Sequence, residues 1–320
     1  MTHDTTGRRY TRRQILALAA GLAAGSMLGG AHAQTARPLL ARRIPRSGEL
    51  LPVIGLGTAI IFDIGDNAAS RAERTEVLRA FFAGGARLID TAPSYGTAET
   101  VVGDLLAAIK AREKTFLATK VRANSSEAFT AQMRESQRRL RSEKIDLMQM
   151  HNVGFLDRGM VASQLALLRE WKAAGAFRYI GVTHSQDQER ANERLIEIMR
   201  QEKLDFIQVN YSMAERSVEE KLLAAAADTG TAVICNLPFG RGRLFRAVRG
   251  RQVPEWAKAF DAASWGQFFL KYLLASEAVN AVIPGTDKPE YMLDNLDAGR
   301  GRLPDAAMRR RMAAYIDTLG

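Results

Sequence analysis

From Leu51 onward, short apolar runs alternate with longer stretches whose apolar residues recur every three or four positions. The short runs are LPVIGLGT (51–58), RLID (87–90), TFLATKV (115–121), IDLMQMH (145–151), FRYIGVT (177–183), FIQVNYS (206–212), AVICNLP (232–238) and AVIPGT (281–286). Short and nearly continuously apolar, they read as parallel strands buried on both faces. The periodic stretches predict helices over 70–85, 98–110, 128–141, 161–175, 189–201, 215–230, 265–276 and 288–299, with a last amphipathic one over 305–319. Eight strand–helix units in this length predict an α/β fold, a (β/α)8 TIM barrel. A doubly wound open sheet is the runner-up, but no GxGxxG follows the first strand. Ahead of the barrel, RIPRSGELLPVIG (43–55) has a turn at Ser47-Gly48 between two β-like arms. It predicts an N-terminal β-hairpin closing the barrel floor.

Residues 1–33 break this pattern. They have a basic start, an apolar middle and the small-residue ending Ala31-His32-Ala33, the layout of an export signal cleaved before Gln34. Arg12-Arg13 and the following Gln14-Ile15-Leu16 resemble a twin-arginine signal. Gly21, Gly25, Gly29 and Gly30 interrupt the apolar middle and argue against a permanent membrane anchor. An uncleaved anchor helix or a disordered basic tail are the alternatives. The expectation is one barrel domain over 34–320, handled by the twin-arginine export machinery in transit and working in the periplasm or otherwise outside the cytoplasm.

Composition adds limits. The 320 residues are 47% apolar and 25% charged, typical of a globular protein. The net charge is +10, and residues 1–33 hold four arginines and one aspartate of it, leaving +7. The remaining basic residues are dispersed rather than set in a stripe with aromatics, so a nucleic-acid partner is not expected. Cys235 is the one cysteine, and His3, His32, His151 and His184 are the histidines, so neither an internal disulfide nor a metal site is expected.

Barrel active sites lie where strands end. Asp90 ends the second predicted strand, and Tyr95 follows in its loop. Lys120 is near the end of the third, His151 ends the fourth, and Thr183 and His184 end the fifth. Gln208 lies on the sixth, Asn236 on the seventh, and Pro284-Gly285-Thr286 end the eighth. Tyrosine is a weak acid, with a pKa of about 10. A lysine ammonium beside it favours the phenolate, an aspartate holds that lysine, and a histidine can hydrogen-bond the reacting oxygen. Asp90, Tyr95, Lys120 and His151 therefore suit protonation of a carbonyl oxygen as hydride reaches its carbon.

In order along residues 42–300, the motifs GLGT, LIDTAPSYGTAE, ATK, MQMHN, YIGVTH, FIQVNYS, PFGRGRL and AVIPGTDKPEYMLDN resemble the aldo-keto reductase superfamily. The resemblance implies the same barrel, a small carbonyl substrate (an aldehyde, ketone or sugar) and NADPH as cofactor, with NADH possible in its place. It implies that Gly57 and Thr58 lie by the nicotinamide ribose, with Asp90 nearby. Thr183, His184 and Gln208 would hold the carboxamide. Asn236 stands where an aromatic ring commonly stacks on the nicotinamide. Pro238, Phe239, Gly240, Arg241 and Gly242 would form the pyrophosphate segment. Ile283, Pro284, Gly285, Thr286, Lys288, Asp294 and Asn295 would hold the adenosine end. Phe62, just after the first strand, is the candidate substrate contact. Two other functions are open to the same residues: an exported cofactor-binding or redox-sensing protein, and a non-redox acid–base catalyst.

Overall fold

The structure is a computed structural model that describes residues 37–319. The expected export signal lies outside the described residues. The chain first forms the hairpin, strands β1 (Ala41–Arg43) and β2 (Leu50–Pro52), paired antiparallel with Arg42 opposite Leu51. Gly48 takes the turn with φ +73°, a left-handed backbone that glycine adopts without cost. The Ile44 N–H donates to the Glu49 carbonyl at 2.8 Å and closes the turn.

Eight parallel strands follow in sequential order: β3 (Leu56–Gly57), β4 (Leu88–Asp90), β5 (Phe116–Val121), β6 (Ile145–Met150), β7 (Phe177–His184), β8 (Phe206–Asn210), β9 (Ala232–Asn236) and β10 (Val279–Val282). The sheet closes on itself where Ile54 bridges Val282, with the Gly55 N–H donating to the Val282 carbonyl at 2.8 Å. The barrel is the predicted one, but its first strand is shorter than expected. The apolar run 51–58 is shared: Leu51 and Pro52 belong to the hairpin, and only Leu56–Gly57 pairs as a barrel strand. The seam there is tight. A Cβ on Gly57 would stand 2.8 Å from the Ile283 carbonyl oxygen, so only glycine fits.

The helices are α1 (Ala68–Ala83), α2 (Ala98–Ala108), α3 (Ser126–Arg139), α4 (Arg158–Ala173), α5 (Gln188–Glu202), α6 (Leu222–Thr229), α7 (Arg243–Ala247), α8 (Trp265–Leu274), α9 (Pro289–Ala298) and α10 (Ala306–Asp317). Side chains cap several starts: Asn67, Ser125, Asp157, Ser264 and Asp305 each accept a backbone N–H from the first turn. The helix expected over 215–230 begins late, at Leu222, after a short turn at Ser217–Glu219. There the Glu219 carboxylate accepts from the hydroxyls of Tyr211 at 2.5 Å and Tyr272 at 2.9 Å and from Arg309 at 2.9 Å, tying α10 to the barrel. No helix among the described residues is long and apolar enough to cross a membrane.

Strand alternation divides the core into two. Inside the barrel, Leu88, Phe116, Leu147, Tyr179, Phe206 and Ile234 pack together. Ile44 and Leu51 of the hairpin join them fully buried, so the hairpin plugs the floor as predicted. Between strands and helices lies the larger outer core. The floor is also tied by polar groups. Asp146 accepts the Leu117 N–H at 2.8 Å, Asp205 the Ile180 N–H at 2.9 Å, and Asn280 the Val233 N–H at 2.8 Å. Arg42 of β1 donates to the carbonyls of Leu274, Ser276 and Val279 and so holds the hairpin to the end of α8.

Candidate active site

The opposite end of the barrel carries the polar residues that the sequence singles out. Asp90 is the last residue of β4 and Lys120 the fifth of β5, and both point inward. The Lys120 ammonium donates to Asp90 Oδ2 at 2.6 Å and to the Thr91 carbonyl at 2.9 Å, with both side chains almost fully buried. A buried pair is stable only when its remaining lone pairs are satisfied. Asp90 Oδ1 meets that need by accepting from Gln208 at 2.9 Å and Gln149 at 3.3 Å. Burial alone would push Lys120 down, but the charges of Asp90 and Tyr95 and the hydrogen bonds to them outweigh it, and its pKa is raised. Lys120 is therefore a fixed cation.

Tyr95 stands over this pair. Its ring centroid is 4.9 Å from Lys120 Nζ and 6.2 Å from the His151 ring, which meets it edge-on. Burial first, then the positive charges of Lys120 and Arg122, lower the His151 pKa to about 3. The imidazole is thus neutral at ordinary pH, with one N–H to donate. The loop that holds Tyr95 is tied across the mouth. Asp63, in the loop after β3, accepts from Thr97 N at 2.9 Å and from its hydroxyl at 2.8 Å. Gly96 lies between Tyr95 and Thr97 with φ +59°, and a Cβ there would be 2.3 Å from the Asp63 carboxylate. The tie has no room for any other residue.

A cleft of about 470 Å3 opens over Tyr95 and His151, walled by Ile60, Asn152, Asn236 and Arg241 among others. Its amides form a chain. Asn152 Oδ1 accepts from the Ser185 N–H at 3.0 Å and its hydroxyl at 3.1 Å, and Asn210 donates to the Ser185 carbonyl at 3.3 Å. Asn236 donates to Asn210 Oδ1 at 2.9 Å, while Asn236 Oδ1 is buried without a partner. From Leu237 to Gly242 the chain takes left-handed φ at Leu237, Gly240, Arg241 and Gly242. Such successive turns gather backbone N–H groups into anion-binding concavities. Next to this loop lies a second groove of about 470 Å3, lined by Phe239, Phe245, Gly285, Thr286, Tyr291 and Asn295 among others.

Most sequence-predicted site residues therefore gather at the mouth, with some already engaged. Thr58 is buried, and its hydroxyl donates to the Asp90 carbonyl at 2.9 Å. Gly57 donates its N–H to Pro284 O at 3.2 Å, and Ile283 belongs to the inner core. Thr183 is buried on the inward-facing side of β7. Asp294 accepts from Ser264 at 2.7 Å and Gln267 at 2.8 Å and braces the start of α8. Lys288 lies over the Tyr291 ring, 5.6 Å from its centroid.

Two predicted contacts lie elsewhere. Phe62 has zero exposure and packs in the outer core. The loop after β3 turns at Ile60, with φ +67°, leaving Ile60 79% exposed at the cleft and folding Phe62 inward. His184 falls on the outward face of β7, where its Nδ1 accepts the Gly154 N–H at 3.2 Å and the Phe155 ring packs edge-on. Ser185, one residue on, reaches the cleft instead. Sequence reasoning passed over Ser185, Asn152, Asp63 and Ile60. Of these only Asn152 carried a signal, standing beside His151.

The family model for the aldo/keto reductase family matches residues 53–316. The chain belongs to that family. It is accordingly an NAD(P)H-dependent oxidoreductase acting on carbonyl and alcohol groups. Among curated relatives, Methylglyoxal reductase YeaE of Escherichia coli is 30% identical over 250 residues, covering 75% of this chain and 84% of that protein. Aldo-keto reductase str7 of Strobilurus tenacellus is 27% identical, covering 85% and 92%. Among solved structures, an aldo-keto reductase of Klebsiella pneumoniae in complex with NADPH superposes with a TM-score of 0.67 at 25% identity, covering 88% of this chain and 95% of that one.

The mouth fits a nicotinamide dinucleotide on its own evidence. The NH2 group of a carboxamide needs acceptors. Gln208 spends its amide N–H on Asp90, which leaves its oxygen to accept, and the orphaned Asn236 Oδ1 is a second acceptor. The left-handed loop and the aromatic groove beside it suit phosphates and a base.

Proposed function

We propose that this reductase converts an aldehyde, ketone or sugar carbonyl to the alcohol, and runs the reverse oxidation, with Tyr95 as general acid. The observation that carries the reading is the Tyr95 ring held between a fixed ammonium and a neutral imidazole. The dinucleotide, when bound, supplies the hydride to the carbonyl carbon. His151 donates its N–H to the carbonyl oxygen and orients it. The Tyr95 hydroxyl gives that oxygen its proton, and the phenolate left behind is stabilised by Lys120. Solvent at the open mouth returns the proton. Asp90 takes no proton in this scheme; it keeps Lys120 charged and in place.

Thr183, Gln208 and Asn236 would hold the carboxamide, and Pro238 to Gly242 the pyrophosphate. Gly285, Thr286, Lys288 and Asn295 would hold the adenosine end. Lys288 favours NADPH through its charge, since a 2′-phosphate rewards a nearby cation. One relative is an NADH-specific methylglyoxal reductase of Escherichia coli, so both cofactors belong in the assay. Tyr95→Phe should cut turnover about 10²- to 10⁴-fold and leave cofactor binding, read by calorimetry, intact. Full turnover by that variant refutes the assignment of the acid.

Residues 1–33 carry the layout of a twin-arginine signal, and we read the mature enzyme as a periplasmic one that folds before export. Fractionation of cells expressing the full chain and an Arg12→Lys, Arg13→Lys variant tests it. Cytoplasmic retention of both would remove the proposal.

A further inference from the structure

A smaller pocket, about 290 Å3, adjoins the catalytic cleft on the far side of His151. Ser94, His151 and Asn152 line both. The rest of the polar wall of this pocket comes from Lys120, Arg122 and Gln132. No carboxylate lines it.

Its amides are oriented by the backbone. Gln132 Oε1 accepts the Arg122 N–H at 2.6 Å, which turns its NH2 group free of that bond. Asn152 Oδ1 accepts from both the N–H and the hydroxyl of Ser185, which likewise leaves its NH2 group unspent. Both oxygens are engaged by the backbone, and both NH2 groups remain to donate. The charges follow the same pattern. Lys120 is balanced by Asp90. The exposed Arg122 guanidinium, just past the end of β5, has no ion-pair partner among the described residues. His151 registers the resulting field: after burial, Lys120 and Arg122 are the next causes that hold it neutral. A neutral substrate would leave these donors to water, while an anion would answer them with charge-assisted hydrogen bonds.

We propose that the preferred substrate is a short-chain oxo acid, its carbonyl at Tyr95 and His151 and its carboxylate in the adjoining pocket, held by Arg122, Gln132 and Asn152. This rests on the carbonyl-reductase reading and narrows it to a substrate class. Arg122 is a specificity residue in this scheme. It binds the end of the substrate remote from the reacting carbon.

Two aldehydes of equal chain length test it, 4-oxobutanoate and butanal, with the full chain and saturating NADPH or NADH. The wild type should favour 4-oxobutanoate in kcat/KM by about tenfold to a hundredfold, the worth of charge-assisted contacts. Arg122→Met should collapse that ratio, chiefly through KM, and Arg122→Lys should restore part of it. Gln132→Met should reduce it less. Calorimetry of the Tyr95→Phe variant with 4-hydroxybutanoate against butan-1-ol reads the carboxylate contact without turnover. Failure of the chemistry and failure of the anion site are thereby separated. Equal or better use of butanal, a ratio unmoved by Arg122→Met, or equal binding of the two alcohols overturns the proposal.

Discussion

The two ends of this barrel are built on opposite plans. At the floor, a hairpin drives Ile44 and Leu51 into an apolar interior, and Asp146, Asp205 and Asn280 each spend their oxygens on strand N–H groups. Hydrogen bonds there tie neighbouring strands to one another, and these oxygens are all partnered. At the mouth, a buried ion pair, an orphaned amide oxygen and four left-handed residues in the 237–242 loop share a small volume. Unsatisfied groups and uncommon backbone angles cost free energy, and those at the mouth sit where a ligand can answer them. The same sheet thus stores its stability at one end and its chemistry at the other.

That contrast can be broken most sharply at Lys120. Lys120→Met strands the Asp90 carboxylate in the interior. It should cost about 3–5 kcal/mol of stability and abolish reduction. Adding Asp90→Asn should recover most of the stability and none of the activity, as read by urea unfolding and steady-state rates. Recovery of activity in the double variant would sink the role given to Lys120. At the floor, Ile44→Ala empties part of the plug. About 2–5 kcal/mol of stability should go, with kcat nearly unmoved in protein still folded at the assay temperature. A large fall in kcat would mean that the two ends are coupled.

Much of this division is legible in the sequence. Asp90, Lys120 and His151 could be placed because strand ends are marked by the stop of an apolar run, and a barrel brings all its strand ends to one rim. Phe62 and His184 could not. Strand β7 runs one residue past its apolar stretch and puts His184 on the face opposite Thr183. For Phe62, which lies past a strand end, the direction depends on where the loop bends. Ile60 bends it with a left-handed φ that its side chain does not advertise. The first strand misled for a related reason. Its apolar run serves two sheets, and only the closure between Ile54 and Val282 shows where one gives way to the other.

A gentler perturbation is Gly96→Ala. The added methyl meets the Asp63 carboxylate and a left-handed backbone together, so about 1–3 kcal/mol should be lost. Tyr95 should be displaced, lowering kcat. If kcat holds while stability falls, the tie between the loops matters for folding alone. The mildest contrast lies in pH. The His151 pKa falls from its ordinary value near 6.5 to about 3 in the folded protein. Between those values the unfolded chain binds a proton that the native site refuses, so stability drops as pH falls through this window. His151→Gln should flatten part of that slope in urea unfolding at stepped pH. An unchanged slope would place the acid sensitivity elsewhere.

Asp63 gives the mouth a property that no single loop has. Because its carboxylate is bound to the backbone and hydroxyl of Thr97, the segment bearing Ile60 and the segment bearing Tyr95 form one mechanical piece. For anyone reshaping this enzyme, the graftable module is the pair. A foreign first loop brought in without its matching second would arrive with nothing to grip, and libraries that vary the two independently would consist mostly of broken clasps.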